Sequence, residues 1–237
     1  MTRDELNTII ERYIPTMLDV SAPAAPQQIE RLNDLAGPLP ESYREFLGWM
    51  GDRCPVFDNL ELAYSPSHLL EVYEDPEEDV PDGFLLIGID NSGSAFDVHI
   101  RRRDGAVLRL SAFYDGVTTK DAILENADFP SFLLTSFVRT TLVPSHPLHF
   151  SATLNGDHEQ AHELWRRVDE ACTHFEIHYS IQLADCRFYG GDDFVIGVHQ
   201  RPGTSIVSLH FGTVDRARYE PWYDLVFARW QLLRIPM

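Results

Sequence analysis

The chain has 237 residues, of which 44% are hydrophobic, 11% aromatic and 24% charged, so it can bury a core as one large domain or two modest ones. That composition excludes a disordered, collagen-like or mucin-like protein. Thirty-seven acids against 19 bases give a formal net charge of −18, which argues against a protein that neutralises the phosphates of nucleic acid or anionic lipid and fits a cationic partner better.

The acid excess is uneven: residues 1–145 hold 25 acids and 11 bases, whereas residues 146–237 hold 12 and 8. Three cysteines, Cys54, Cys172 and Cys186, form no C-x-x-C pair and no disulfide framework, which places the chain in a reducing compartment. The opening stretch MTRDELNTIIERYIPTMLDV lacks the basic and apolar regions of a signal peptide, and no run of about 18 apolar residues follows. A cytoplasmic protein without membrane attachment is expected.

In chain order, Leu6, Ile9, Ile10, Tyr13, Ile14, Met17 and Leu18 repeat at the spacing of one amphipathic helix, broken by the run Ala22 to Pro26. A second helix is predicted over Gln27 to Leu35, stopped by Gly37 and Pro38. A third follows Pro40, with Tyr43, Phe46, Leu47 and Met50 on one face and Gly51 at its end. A short strand at Leu60 to Tyr64 and a helical turn led by Ser65-Pro66 come next. The acidic run Glu74-Asp75-Pro76-Glu77-Glu78-Asp79 reads as a solvated loop. An antiparallel meander is then predicted over Phe84 to Ile89, Ala95 to Arg101 and Ala106 to Phe113, with turns at Asp90-Asn91-Ser92-Gly93 and Asp104-Gly105. A helix led by Asp128 and Pro130 ends in the string Val143-Pro144-Ser145-His146-Pro147, where a boundary is placed: residues 1–145 form one domain and 146–237 a smaller α+β unit or extension. That second part opens with a strand at Leu148 to Leu154, then a helix over HEQAHELWRRVDEAC fronted by Asp157 and Gln160 in a capping-box pattern. Strands are predicted at Phe175 to Leu183, Cys186 to Tyr189, Phe194 to His199 and Ser205 to Phe211. A closing helix beginning at Pro221 carries Trp222, Val226, Trp230 and Leu233 on one stripe.

Catalytic signatures are sparse. His158-Glu159-Gln160-Ala161-His162 matches H-E-x-x-H, in which two histidines one helical turn apart bind zinc and the glutamate polarises the bound water. Here His158 directly follows the cap Asp157, Gln160 is polar where an apolar residue is usual, and no third ligand stands out among His174, His178 and Glu163. A solvated helix face is the better reading, and a zinc-dependent hydrolase is the weakest functional alternative. No nucleophile elbow, phosphate loop or dinucleotide fingerprint occurs, so a non-catalytic protein without cofactor or metal is expected. Arg101-Arg102-Arg103 reads as a hairpin tip rather than a phosphate site, and Asp90 as a turn-former rather than part of a calcium loop.

Leu35-Ala36-Gly37-Pro38-Leu39-Pro40-Glu41-Ser42-Tyr43-Arg44-Glu45-Phe46-Leu47 resembles the signature helix of the SUKH superfamily (Smi/Knr type), "LP-x-x-y-x-x-FL", through Leu39, Pro40, Tyr43, Phe46 and Leu47. Phe84 to Gly93 followed by Phe96-Asp97-Val98 resembles its strand pair, with Gly88, Asp90, Gly93 and Asp97 at the motif positions. Asp128-Phe129-Pro130-Ser131-Phe132-Leu133 is similar to its closing helix. The likeness covers about residues 27–142, while Met50-Gly51 stands where the family has asparagine-glycine and the last ninety or so residues lie outside it. It implies an α+β domain with N-terminal helices packed on a mainly antiparallel sheet, acting as a protein-binding module. Such proteins include bacterial immunity proteins that neutralise polymorphic toxins and fungal regulators of cell-wall synthesis, so a regulatory scaffold is the alternative. The acidic run Glu74, Asp75, Glu77, Glu78 and Asp79 is the candidate contact for a basic toxin.

Overall fold

A computed structural model describes residues 3–75, 80–94, 96–111, 122–173, 179–230 and 233–234. The chain is α+β and divides into two compact units, Met1–Leu133 and Leu134–Met237. The division falls inside helix α7 (Phe129–Phe137), upstream of the string 143–147.

The first unit begins with α1 (Arg3–Tyr13) and α2 (Thr16–Val20). The sequence pattern predicts one helix here, but Pro15 has no N–H to donate and its ring crowds the preceding turn, so the helix stops and restarts. Ile14 N–H still reaches the Ile10 carbonyl at 2.8 Å, while Met17 N–H turns back to the Ile14 carbonyl at 3.0 Å. Next come α3 (Pro26–Ala36) and α4 (Glu41–Met50), then α5 (Pro55–Asn59), whose five residues are too few for a periodic signal. Strand β1 (Leu62–Ala63) and α6 (Pro66–Glu74) precede a meander of β2 (Phe84–Asp90), β3 (Phe96–Arg101), β4 (Val107–Ser111) and β5 (Ile123–Asn126). All five strands form one antiparallel sheet in sequence order. Of the strand predicted to reach Phe113, residues 112 and 113 lie outside the described residues. The helices supply an aromatic core: Phe46 lies 5.1 Å from Phe57 and 5.4 Å from Phe129, and Tyr43 meets Phe129 edge-on at 5.2 Å.

In the second unit, a π turn (Val138–Leu142) and a 3₁₀ turn (Val143–Ser145) follow α7. Then come β6 (Leu148–Asn155), α8 (His158–Thr173), β7 (Tyr179–Gln182), β8 (Cys186–Gly190), β9 (Phe194–Gln200), β10 (Ile206–Thr213), α9 (Arg216–Trp230) and β11 (Leu233–Arg234). The sheet order is β11-β6-β10-β9-β8-β7, so β6 skips three strands to pair antiparallel with β10, Phe150 opposite Phe211. One face packs Phe150, Ile196, Leu209 and Phe211 against Leu164 and Val168 of α8 and Trp222 of α9. Helix α9 begins five residues before Pro221, because Asp215 caps it: Ala217 N–H donates to Asp215 Oδ1 at 2.8 Å. Pro221 therefore sits inside the helix, where it removes one backbone hydrogen bond, and Trp222 stacked 5.4 Å from Phe211 anchors the segment to the sheet. Leu233 lies in β11 rather than on the helix, and the side chains of Val226 and Trp230 lie outside those described.

Candidate interaction site

The residues carrying the family likeness are scaffold. Tyr43, Phe46 and Leu47 are buried on the inner face of α4, Pro40 occupies its N-cap position, and Leu39 is buried just before it. Asn33 Oδ1 accepts the Leu39 N–H at 3.3 Å, tying the helix entry to α3. Tyr43 is wholly enclosed, with no hydrogen-bond partner for its hydroxyl, and burial pushes its phenol well above the ordinary range.

The β2–β3 hairpin is fixed by its two aspartates. Buried Asp97 accepts the Asp90 N–H at 2.9 Å through Oδ1. Asp90 in turn accepts the Ser92 hydroxyl at 2.6 Å and the Ser94 hydroxyl at 2.8 Å, which makes it the turn-former expected. Gly93 is left-handed at φ 82°, a conformation that favours glycine. Gly88 lies at a register shift beside Leu62, whose side chain would stand 3.3 Å from an added Cβ.

The acids behave differently. Glu74 is the last residue of α6 and Asp75 the one after it, and both are exposed. Negative charge at a helix C-terminus opposes the macrodipole and is unfavourable. Glu74 is met there by Arg31 of α3, whose Nε lies 2.6 Å from Glu74 Oε1. With these side chains 62% and 43% exposed, the pair adds little to stability. Exposed Glu30 and Asp34 of α3 and Glu71 of α6 extend the negative surface. Glu77, Glu78 and Asp79 lie outside the described residues. Sequence reading missed Arg31, since only the packing of α3 on α6 brings positions 31 and 74 together.

The other candidates resolve into structural roles. Asp157 and Gln160 form the capping box, Gln160 N–H donating to Asp157 Oδ1 at 2.8 Å and Asp157 N–H to Gln160 Oε1 at 3.1 Å. His158 and His162 stand exposed on the first turns behind it. His174 and His178 lie outside the described residues, and among the described residues no three His, Cys, Asp or Glu side chains come close enough to hold a metal ion. Glu163 binds Arg166 and Arg167, whose hydrogen bonds bring its carboxyl down to about 2. In the arginine triplet, Arg101 is held by Asp104 at 2.8 Å, and Arg102 caps α3 by donating to the carbonyls of Ala36 and Pro38. Arg103 is 76% exposed at the tip, its Nε 3.6 Å from Asp104 Oδ2.

On the outer face of the second sheet, Ser151 Oγ and His210 Nδ1 lie 2.7 Å apart, and burial pushes His210 down to about 3. His199 and Asp185 form a neighbouring pair at 3.7 Å. His210 is buried, its Nε2 has no hydrogen-bond partner among the described residues, and Ser151 is half-buried beside it.

No family model, curated protein or solved structure matches the chain. Among the described residues, no helix is long and apolar enough to cross a membrane.

Proposed function

We propose that the chain is a non-catalytic binding module of the SUKH type, an immunity protein that neutralises a cognate toxin through electrostatic attraction to the toxin's basic surface. The observation that carries this reading is the exposed acid set on α3 and α6, with Glu74 placed against the α6 dipole and met by Arg31. Acids that do not stabilise their own helix are better accounted for by an external cation. Supporting it, the motif residues Leu39, Tyr43, Phe46, Leu47, Asp90 and Asp97 serve core and turn, which leaves the surface to define the partner. Nucleases carry basic surfaces to engage phosphate, and a strongly acidic inhibitor gains association rate from that charge.

The test is co-expression with the product of the adjacent gene in the cytoplasm. The expected result is survival of cells that the toxin alone kills, and a complex whose affinity falls steeply with salt. Neutralising Glu74, Asp75, Glu77, Glu78 and Asp79 to their amides should weaken it further. Death despite co-expression, with no complex formed, refutes the immunity role. A complex with an envelope or signalling enzyme would instead assign the regulatory-scaffold alternative.

A further inference from the structure

Helix α4 contains a glycine for which its own fold has no use. Gly48 lies in the helix interior, where glycine is among the least favourable residues, and its surface is exposed. Among the described residues, no atom apart from its chain neighbours and the nearby backbone of α4 comes within 4 Å of the position a Cβ would take. A bare backbone at an exposed helix position admits close approach from outside.

The surroundings indicate what approaches. Gly48, Arg3, Asp4 and Glu45 line an open recess of about 480 Å³. Beside it, Trp49 borders a smaller cavity of about 30 Å³ with Leu6, Phe46, Phe129 and Leu133 as its apolar lining. Trp49 is half-buried, and the guanidinium of exposed Arg3 lies 5.6 Å from its ring centroid. The indole face is thus already an acceptor for a guanidinium, next to an apolar floor that suits an aliphatic stem and to the carboxylates of Asp4 and Glu45.

We propose that this groove between α1 and α4 is the docking site for an arginine side chain of a basic partner protein. The partner's stem lies along Gly48 and its guanidinium takes the place on Trp49 that Arg3 now holds. This rests on the reading of the chain as a protein-binding module and adds to it a contact surface separate from the acids of α3 and α6. Charge complementarity selects the occupant: the chain carries −18, and with Arg3 displaced the recess offers the carboxylates of Asp4 and Glu45 and the Trp49 indole to a cation.

The experiment is an NMR titration of the full chain with a short peptide alternating arginine and leucine, at low salt. Amide shifts centred on residues 45–49 and 129–133 are expected. Gly48→Arg should raise Kd at least tenfold, whereas Gly48→Ala should raise the melting temperature and weaken binding less. Glu74→Gln with Asp75→Asn should leave the groove shifts in place. Shifts centred on α3 and α6, no shifts at all, or wild-type affinity in Gly48→Arg would each overturn the proposal. Concentration-dependent shifts of the same amides without peptide would assign the groove to a second copy of the chain, and overturn it too. The two readings fail separately: an adjacent-gene toxin that binds Gly48→Arg normally leaves immunity standing and removes the groove, whereas peptide docking without toxin binding does the reverse.

Discussion

Lowering the pH from 7.5 to 5.0 should weaken the first unit through one side chain, His99. It is fully buried in β3, its Nδ1 lies 3.1 Å from the Asp97 carbonyl, and the Phe84 ring meets it edge-on at 6.4 Å. A carbonyl only accepts, so Nδ1 carries a proton. Burial pushes the imidazole from its ordinary 6.5 down to about 4, and the Asp97 hydrogen bond offsets only part of that. Because the folded value is the lower one, the unfolded chain binds a proton between pH 6.5 and 4 that the folded unit does not. Stability is therefore whole above pH 6.5 and declines by about 1.4 kcal/mol per pH unit below it. By pH 5.0 the loss is about 2 kcal/mol, or about 1 M in urea midpoint. Acidification also relieves self-repulsion in a chain of charge −18, which raises stability and obscures the effect in the wild type alone. His99→Leu shares that relief and lacks the imidazole. Urea unfolding followed through the amides of β2 to β4 should show the stability difference between wild type and His99→Leu shifting by about 2 kcal/mol, against the wild type, between pH 7.5 and 5.0. A difference that stays constant across that range refutes the reasoning.

Three further outcomes are expected. Asp97→Ala leaves the Asp90 N–H without its acceptor and should cost the first unit about 1–3 kcal/mol in chemical denaturation, with much of it recovered in Asp97→Asn, which keeps an oxygen there. Gly197→Ala places a Cβ 2.4 Å from Val138 Cγ1 in the second unit and should cost about 1–3 kcal/mol, with Val138→Ala restoring part of it in the double variant. Asp157→Ala removes one half of the capping box and should cost about 1 kcal/mol in the second unit's thermal unfolding, without changing any interaction of the first unit.

The parts of the fold legible in the sequence were those with a period long enough to read or a cap chemically distinct enough to recognise. Helix α4 announced itself through Tyr43, Phe46, Leu47 and Met50, and α8 through Asp157 and Gln160, both of which make the expected hydrogen bonds. Helix α5 and strands β5 and β11 were hidden, being two to five residues long and held in place by neighbours distant in sequence. Two proline readings failed for one reason. Pro15 divides a helix whose apolar rhythm continues through it, and Pro221 lies inside a helix that the rhythm starts there, so periodicity misjudged where the backbone bonds begin and end. For the candidate site, composition found the acids of residues 74–79. It gave no sign of Arg31 opposite Glu74, because an isolated arginine acquires meaning only once its neighbours in space are known.

The two sheets differ in when they can be made. In the first, each strand pairs with its sequence neighbour, so no pairing waits for a strand beyond the next and assembly can follow synthesis strand by strand. In the second, β6 has no partner until β10 exists: Ser151 waits for His210, 59 residues later. During synthesis the apolar side of β6, with Phe150, Ala152 and Leu154, must remain unpaired while most of the second unit is still being made. The first unit can therefore reach its folded form while the nascent second unit is at its most aggregation-prone.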